Sequence, residues 1–123
     1  MDSRYLFEAV DIDDIPEENK NGNCFVVALN KFMENPYQYT LVHGVVTGQG
    51  AIEGLQYCHA WVEDGNTVID MTLPVHMRKF PKEVYYAIGH IDITREYSGK
   101  EVLDMVEKYM TYGPWDKVFE RYY

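Results

Sequence analysis

Cys24, His59 and Asp70 are the residues of this chain whose types and spacing suit nucleophilic acyl-transfer chemistry. Cys24 opens an apolar helical pattern, His59 lies in a strand-like run, and Asp70 lies in the run that follows it. A thiolate attacks a carbonyl carbon and an imidazole carries the proton to and from it. A carboxylate beside the imidazole fixes its tautomer and favours its charged form.

Two of these placements follow from local structure. Tyr57-Cys58-His59-Ala60-Trp61-Val62-Glu63 reads as a strand, Asp64-Gly65 as a two-residue hairpin turn, and Asn66-Thr67-Val68-Ile69-Asp70-Met71 as the returning strand. With Asp64 and Gly65 as the loop, Glu63 opposes Asn66, Trp61 opposes Val68, and His59 opposes Asp70. Directly opposed residues project to one face with Cβ atoms roughly 4.5–5.5 Å apart, within reach of a hydrogen bond between their side chains. A one-residue slip would separate them. Further upstream, Phe25, Ala28, Leu29 and Phe32 recur at the helical period, with Asn21-Gly22-Asn23 as a turn ahead of them and Asn35-Pro36 as the stop. Cys24 therefore falls in a first helical turn, where the dipole and free N–H groups favour thiolate and can hold a tetrahedral oxyanion. Bringing His59 to Cys24 is left to tertiary structure.

The remaining elements must carry these pieces. Tyr39 to Thr47 is β-branched and apolar, a strand. Val84 to Ile93 reads as a further strand, densest at Tyr85-Tyr86-Ala87-Ile88, and Pro74 to Pro81 connects it to the hairpin. Ser98-Gly99-Lys100-Glu101 is a capping box, followed by a helical stripe at Val102, Met105, Val106 and Tyr109, and a short last helix runs from Trp115 to Tyr123. Residues 1–20 form an acidic lead-in broken by Pro16. Helix, strands, then helices predict an α+β fold in one domain spanning 1–123.

Composition narrows the function. At 123 residues, 46% hydrophobic and 25% charged, the chain suits one globular domain. A net charge of −9 repels phosphate backbones and anionic lipid, which argues against nucleic-acid and membrane partners. No apolar run approaches a membrane span and Met1-Asp2-Ser3-Arg4 does not begin a signal peptide, so the expected compartment is the cytoplasm. Two cysteines outside any CxxC pair and four scattered histidines call for no disulfide framework, metal or cofactor. Cys58 alternates to the face opposite His59 and reads as core packing. His43, in mid-strand beside Gly44, competes as a base, whereas His76 and His90 have no carboxylate in an equally clear position. Trp61 shares the face of His59 and either shields the imidazole or fills the core. The glycines of Gly48-Gln49-Gly50 would let backbone approach a substrate closely.

The pieces Gly22-Asn23-Cys24-Phe25, Cys58-His59-Ala60-Trp61-Val62-Glu63 and Val68-Ile69-Asp70 resemble the papain-like cysteine hydrolase superfamily. The arrangement is most similar to its transglutaminase-like and small bacterial or phage members, and the likeness covers about residues 21–72. It implies a papain-like core: a nucleophile helix packed on an antiparallel sheet, with His and Asp on consecutive strands. It implies Cys24 as nucleophile, His59 as acid/base and Asp70 as orienter. Several family members place a Gln ahead of the Cys for the oxyanion hole. Positions 18–23 hold none, so Asn19, Asn21 or Asn23 would take that place, with Gln49 and Trp61 as further substrate-side candidates. The expected activity is that of a cysteine protease or amidase, or of an acyltransferase, on a peptide, a protein, or a small amide or thioester. A reading from another class is a non-catalytic acidic interaction or inhibitor protein that occupies a basic surface.

Overall fold

A computed structural model describes residues 23–48 and 52–122. The chain runs α1 (Asn23–Phe32), β1 (Thr40–Thr47), β2 (Gln56–Asp64), β3 (Thr67–Ile69), β4 (Lys79–Pro81), α2 (Lys82–Ile88), β5 (Thr94–Tyr97) and α3 (Gly99–Tyr109), with 3₁₀ turns at Val75–Met77 and Lys117–Tyr122. The strands form one antiparallel sheet in the order β4-β3-β2-β1-β5. The α+β class expected from the sequence is the one observed. No helix among the described residues is long and apolar enough to cross a membrane. The acidic lead-in over 1–20, with Asn19, and also Asn21 and Gln49, lie outside the described residues.

Each face of the sheet has its own core. Leu41 and Val45 of β1, with Cys58, Ala60 and Val62 of β2, meet Phe25, Ala28, Leu29 and Phe32 of α1, and Val102 of α3 and Phe119 of the last turn join them. These are the α1 positions picked out by the helical period, so the stripe in the sequence is the buried face. On the opposite face, Val42, Val46, Trp61 and Val68 pack with Tyr85 and Tyr86 of α2. The alternation along β1 and β2 sends odd and even residues to different cores, as pleating requires.

The β2–β3 hairpin turns one residue later than the sequence suggests. Its pairs are Asp64 with Thr67, Glu63 with Val68 and Val62 with Ile69, so the loop is Gly65-Asn66. Gly65 has φ +59, the positive value required of the first loop residue in a II′ turn, where glycine fits without steric cost. This two-residue change of pairing preserves parity, and every side chain keeps its predicted face. The returning strand is also shorter than 66–71.

Residues 84–93 are not a strand. Lys82–Ile88 is helical, starting directly after Pro81, whose φ is −58. An apolar run of four residues is too short for periodicity to separate helix from strand, and tertiary partners decide. In a strand Tyr85 and Tyr86 would point to opposite faces; on a helix both reach the same side of the sheet. The pairing strand lies just beyond, at Thr94–Tyr97, a short polar edge on β1. The capping box holds as expected: the Ser98 hydroxyl and backbone N–H both donate to Glu101. The last segment winds as a 3₁₀ turn from Lys117 instead of a helix from Trp115.

Candidate active site

The pairing of β3 with β2 stops at Val62, so Cys58 and His59 lie on a stretch of β2 that β3 does not cover. The first turn of α1 meets β2 there. Cys24 interacts with Cys58, which faces the α1 core, and its side chain hydrogen-bonds to His59, which faces the other way. Cys24 is buried at 3% exposure.

From the other side His59 Nε2 lies 3.0 Å from Asp70 Oδ2, a buried contact. Asp70 follows the last residue of β3, and its own N–H donates to the Arg78 carbonyl, which carries the sheet bonding one step further. Its carboxylate takes two more partners. Oδ1 accepts the Thr72 N–H at 3.0 Å and the Thr72 hydroxyl at 2.6 Å. Oδ2 accepts the Tyr85 hydroxyl at 2.7 Å, on the same oxygen that faces His59.

The electrostatics follow from these contacts. Burial alone would raise the Asp70 pKa, but the His59 charge and the donors from His59, Thr72 and Tyr85 bring it down to about 2. An ionised carboxylate only accepts, so His59 Nε2 carries a proton. Burial likewise works to discharge His59. The Asp70 charge and hydrogen bond, with the Cys24 contact, outweigh it and hold the imidazole well above its ordinary 6.5.

The other candidates separate cleanly. Cys58 is buried in the α1 core, and burial, with Cys24 alongside, pushes its thiol up to about 12. That thiol stays protonated at neutral pH, as a packing cysteine does. His43 is fully buried in the same core, edge-on to Phe25, Tyr97 and Phe119 and tilted on Trp115, with no partner for either ring nitrogen. Burial lowers its pKa to about 3, so it is neutral. Trp61 has no exposed surface. Its indole N–H donates to Glu63 at 2.9 Å and its ring lies 6.1 Å from the His59 ring, so it walls the imidazole from behind. Asn23 begins α1, and the side chains of the oxyanion candidates are not among the described ones.

Thr72 and Tyr85 are contacts of the site that reading the sequence missed. Asp70-Met71-Thr72 carries a signal, since Asp side chains commonly bond the backbone two residues on. Tyr85 carries none, because its role depends on α2 being a helix. Among the described residues, no group of three or more His, Cys, Asp or Glu side chains is arranged to hold a metal ion. Compared with known proteins, the chain matches no family, no curated protein and no solved structure.

Proposed function

We propose that the protein is a cysteine-dependent acyl-transfer enzyme, a hydrolase of amide, isopeptide or thioester bonds, working through Cys24, His59 and Asp70. The observation that carries this reading is one buried histidine bonded on one side to an ionised carboxylate and on the other to a cysteine in the first turn of a helix. With Nε2 committed to Asp70, Nδ1 is the ring nitrogen left for the thiol. The arrangement agrees with the papain-like resemblance in the order Cys, His, Asp and in the helix-on-sheet setting.

The chemistry is then balanced by one shuttled proton. His59 already holds the proton of the Cys24–His59 pair as the imidazolium, and the Cys24 sulfur attacks the acyl carbon, forming the C–S bond while the carbonyl oxygen takes the negative charge. The positive end of the α1 dipole, where Cys24 sits, is the feature that would stabilise that charge. His59 returns the proton to the departing amine or thiol as the C–N or C–S bond of the substrate breaks. Water, or an acceptor amine in a transferase, gives its proton to His59 and attacks the thioester, and the Cys24 sulfur leaves with His59 protonated again. Asp70 compensates the imidazolium throughout.

The test is site-mapped alkylation with iodoacetamide at pH 6.5, where an ordinary thiol of pKa roughly 8.5 is about 99% protonated. The expected result is stoichiometric labelling of Cys24 with Cys58 untouched, and a folded, unlabelled Cys24→Ser variant. Labelling of Cys58 in preference, or of neither thiol in the native protein, would leave an acidic interaction protein as the better reading.

A further inference from the structure

We infer that Tyr85 is a positioning residue of this site: from α2 its hydroxyl fixes the Asp70 carboxylate that in turn holds His59. This deepens the cysteine-enzyme reading and rests on it. The hydroxyl sits 2.7 Å from Asp70 Oδ2 and shares that oxygen with His59 Nε2 at 3.0 Å, so it meets the acceptor at the atom that matters. Thr72 saturates the other oxygen through two donors. Thr72 is two residues from Asp70 and moves with it. Tyr85 is the donor that ties the carboxylate to a separate element, and so fixes where Oδ2 stands relative to the sheet.

The neighbouring side chain gives a built-in comparison. The Tyr86 hydroxyl donates to Glu63 Oε2, a buried carboxylate that also takes the Trp61 indole N–H and faces Lys82 Nζ at 3.1 Å. Consecutive tyrosines on one short helix thus bind two different carboxylates, of which only Asp70 touches His59. Both rings pack against Trp61, at 5.3 Å for Tyr85 and 5.9 Å for Tyr86, so losing either hydroxyl perturbs similar packing. Donation to Oδ2 also stabilises the ionised carboxylate, and Tyr85 is among the groups that hold Asp70 low. A hydrogen bond to a buried charge is among the stronger ones in proteins, so its loss should be measurable.

The experiment compares Tyr85→Phe with Tyr86→Phe by two readouts, the second-order rate of Cys24 alkylation at pH 7 and the Asp70 carboxyl titration followed by 13C NMR. Tyr85→Phe is expected to slow alkylation about tenfold and to move the titration midpoint upward, while Tyr86→Phe stays within twofold of wild type with the midpoint in place. Site-specific 3-fluorotyrosine at position 85, a stronger donor, is expected to move the midpoint the opposite way, and it serves if Tyr85→Phe does not fold. Equal effects of the two Phe variants, or no effect of Tyr85→Phe on either readout, would overturn the role. So would a moved midpoint with an unchanged rate. A wild-type protein whose Cys24 is not alkylated is a different failure. It sinks the enzyme reading, while the titration still reports whether Tyr85 holds the carboxylate.

Discussion

His59 and Asp70 bond diagonally across the hairpin, 3.0 Å apart, with Asp70 level with Trp61 in the pairing register instead of directly opposite His59. The diagonal keeps both residues on one face and leaves the stretch of β2 beside His59 free of β3. A directly opposed pair would require β3 to run further along β2. On this uncovered stretch one imidazole meets both a carboxylate and a thiol.

Asp70→Asn tests the carboxylate. The amide offers either its oxygen or its NH₂ group to the ring, so the tautomer is no longer enforced and the imidazolium loses its counter-charge. Cys24 alkylation at pH 7 should fall by about 10²-fold, the lower end of what acid–base assistance is worth. Stopped-flow or quench-mass measurements on the folded variant check this. A rate within threefold of wild type would reduce Asp70 to a packing group.

Gly44 lies directly across from His59 on β1. A Cβ there would sit 2.5 Å from Trp61 Cη2 and 3.2 Å from the Ile93 carbonyl oxygen. Trp61 is fully buried and aromatic, so Gly44→Ala should destabilise the fold by about 1–3 kcal/mol, as overpacking does. Because Trp61 backs His59, alkylation of Cys24 should slow as well. Thermal melts and the alkylation rate on the same sample decide it, and an unchanged melting temperature would contradict the packing account.

Legibility differed by element for physical reasons. α1 and β1 were readable because each has one period and one dominant buried face, and the capping box because it is a local exchange of hydrogen bonds. The His59–Asp70 partnership is legible even though Asp64-Gly65 suggests a turn one residue early, because the two registers differ by an even number and share parity. α2 resembles a strand in sequence because Tyr85 and Tyr86 are good strand formers, while its helix gains from distant acceptors, Asp70 and Glu63. β5 was missed because Thr94-Arg95-Glu96-Tyr97 is a polar edge with one buried residue, Tyr97. Cys24 meeting His59 is beyond local reasoning altogether, since it depends on how α1 packs on β2.

Acid sensitivity should have two parts. His43 is neutral in the folded state, with its pKa lowered to about 3, whereas an unfolded histidine binds a proton near 6.5. The unfolded chain therefore binds the extra proton, and stability falls as pH drops from about 6.5 towards 3. Asp70 is lowered to about 2, so its contribution is present above the ordinary carboxylate range near 3.8 and is lost as pH falls through about 2. His43→Leu removes two unpaired buried nitrogens and should flatten the upper part of the profile while leaving the lower part. Urea midpoints between pH 2 and 7 measure it, and an identical slope in the variant between pH 3 and 6.5 would contradict the assignment.

His59 contributes on the alkaline side. Its pKa is held well above 6.5, so the stabilisation from its pairing with Asp70 is complete below 6.5 and is lost as pH rises through the raised value. His59→Gln should remove that alkaline loss and cut Cys24 alkylation at pH 7. Denaturation midpoints from pH 6 to 10 test it, and an alkaline slope that persists in His59→Gln would place its origin elsewhere.

The most direct measurement of the central claim is the pre-steady-state reaction with p-nitrophenyl acetate. A Cys24 nucleophile assisted by His59 predicts a burst of one nitrophenolate per protein, an acetyl adduct mapped to Cys24 by peptide mass, and slower release of acetate. Cys24→Ala should lose both burst and adduct, and Cys58→Ser should keep them. A burst that survives in Cys24→Ala, or an acetyl group found on another residue, would contradict the account.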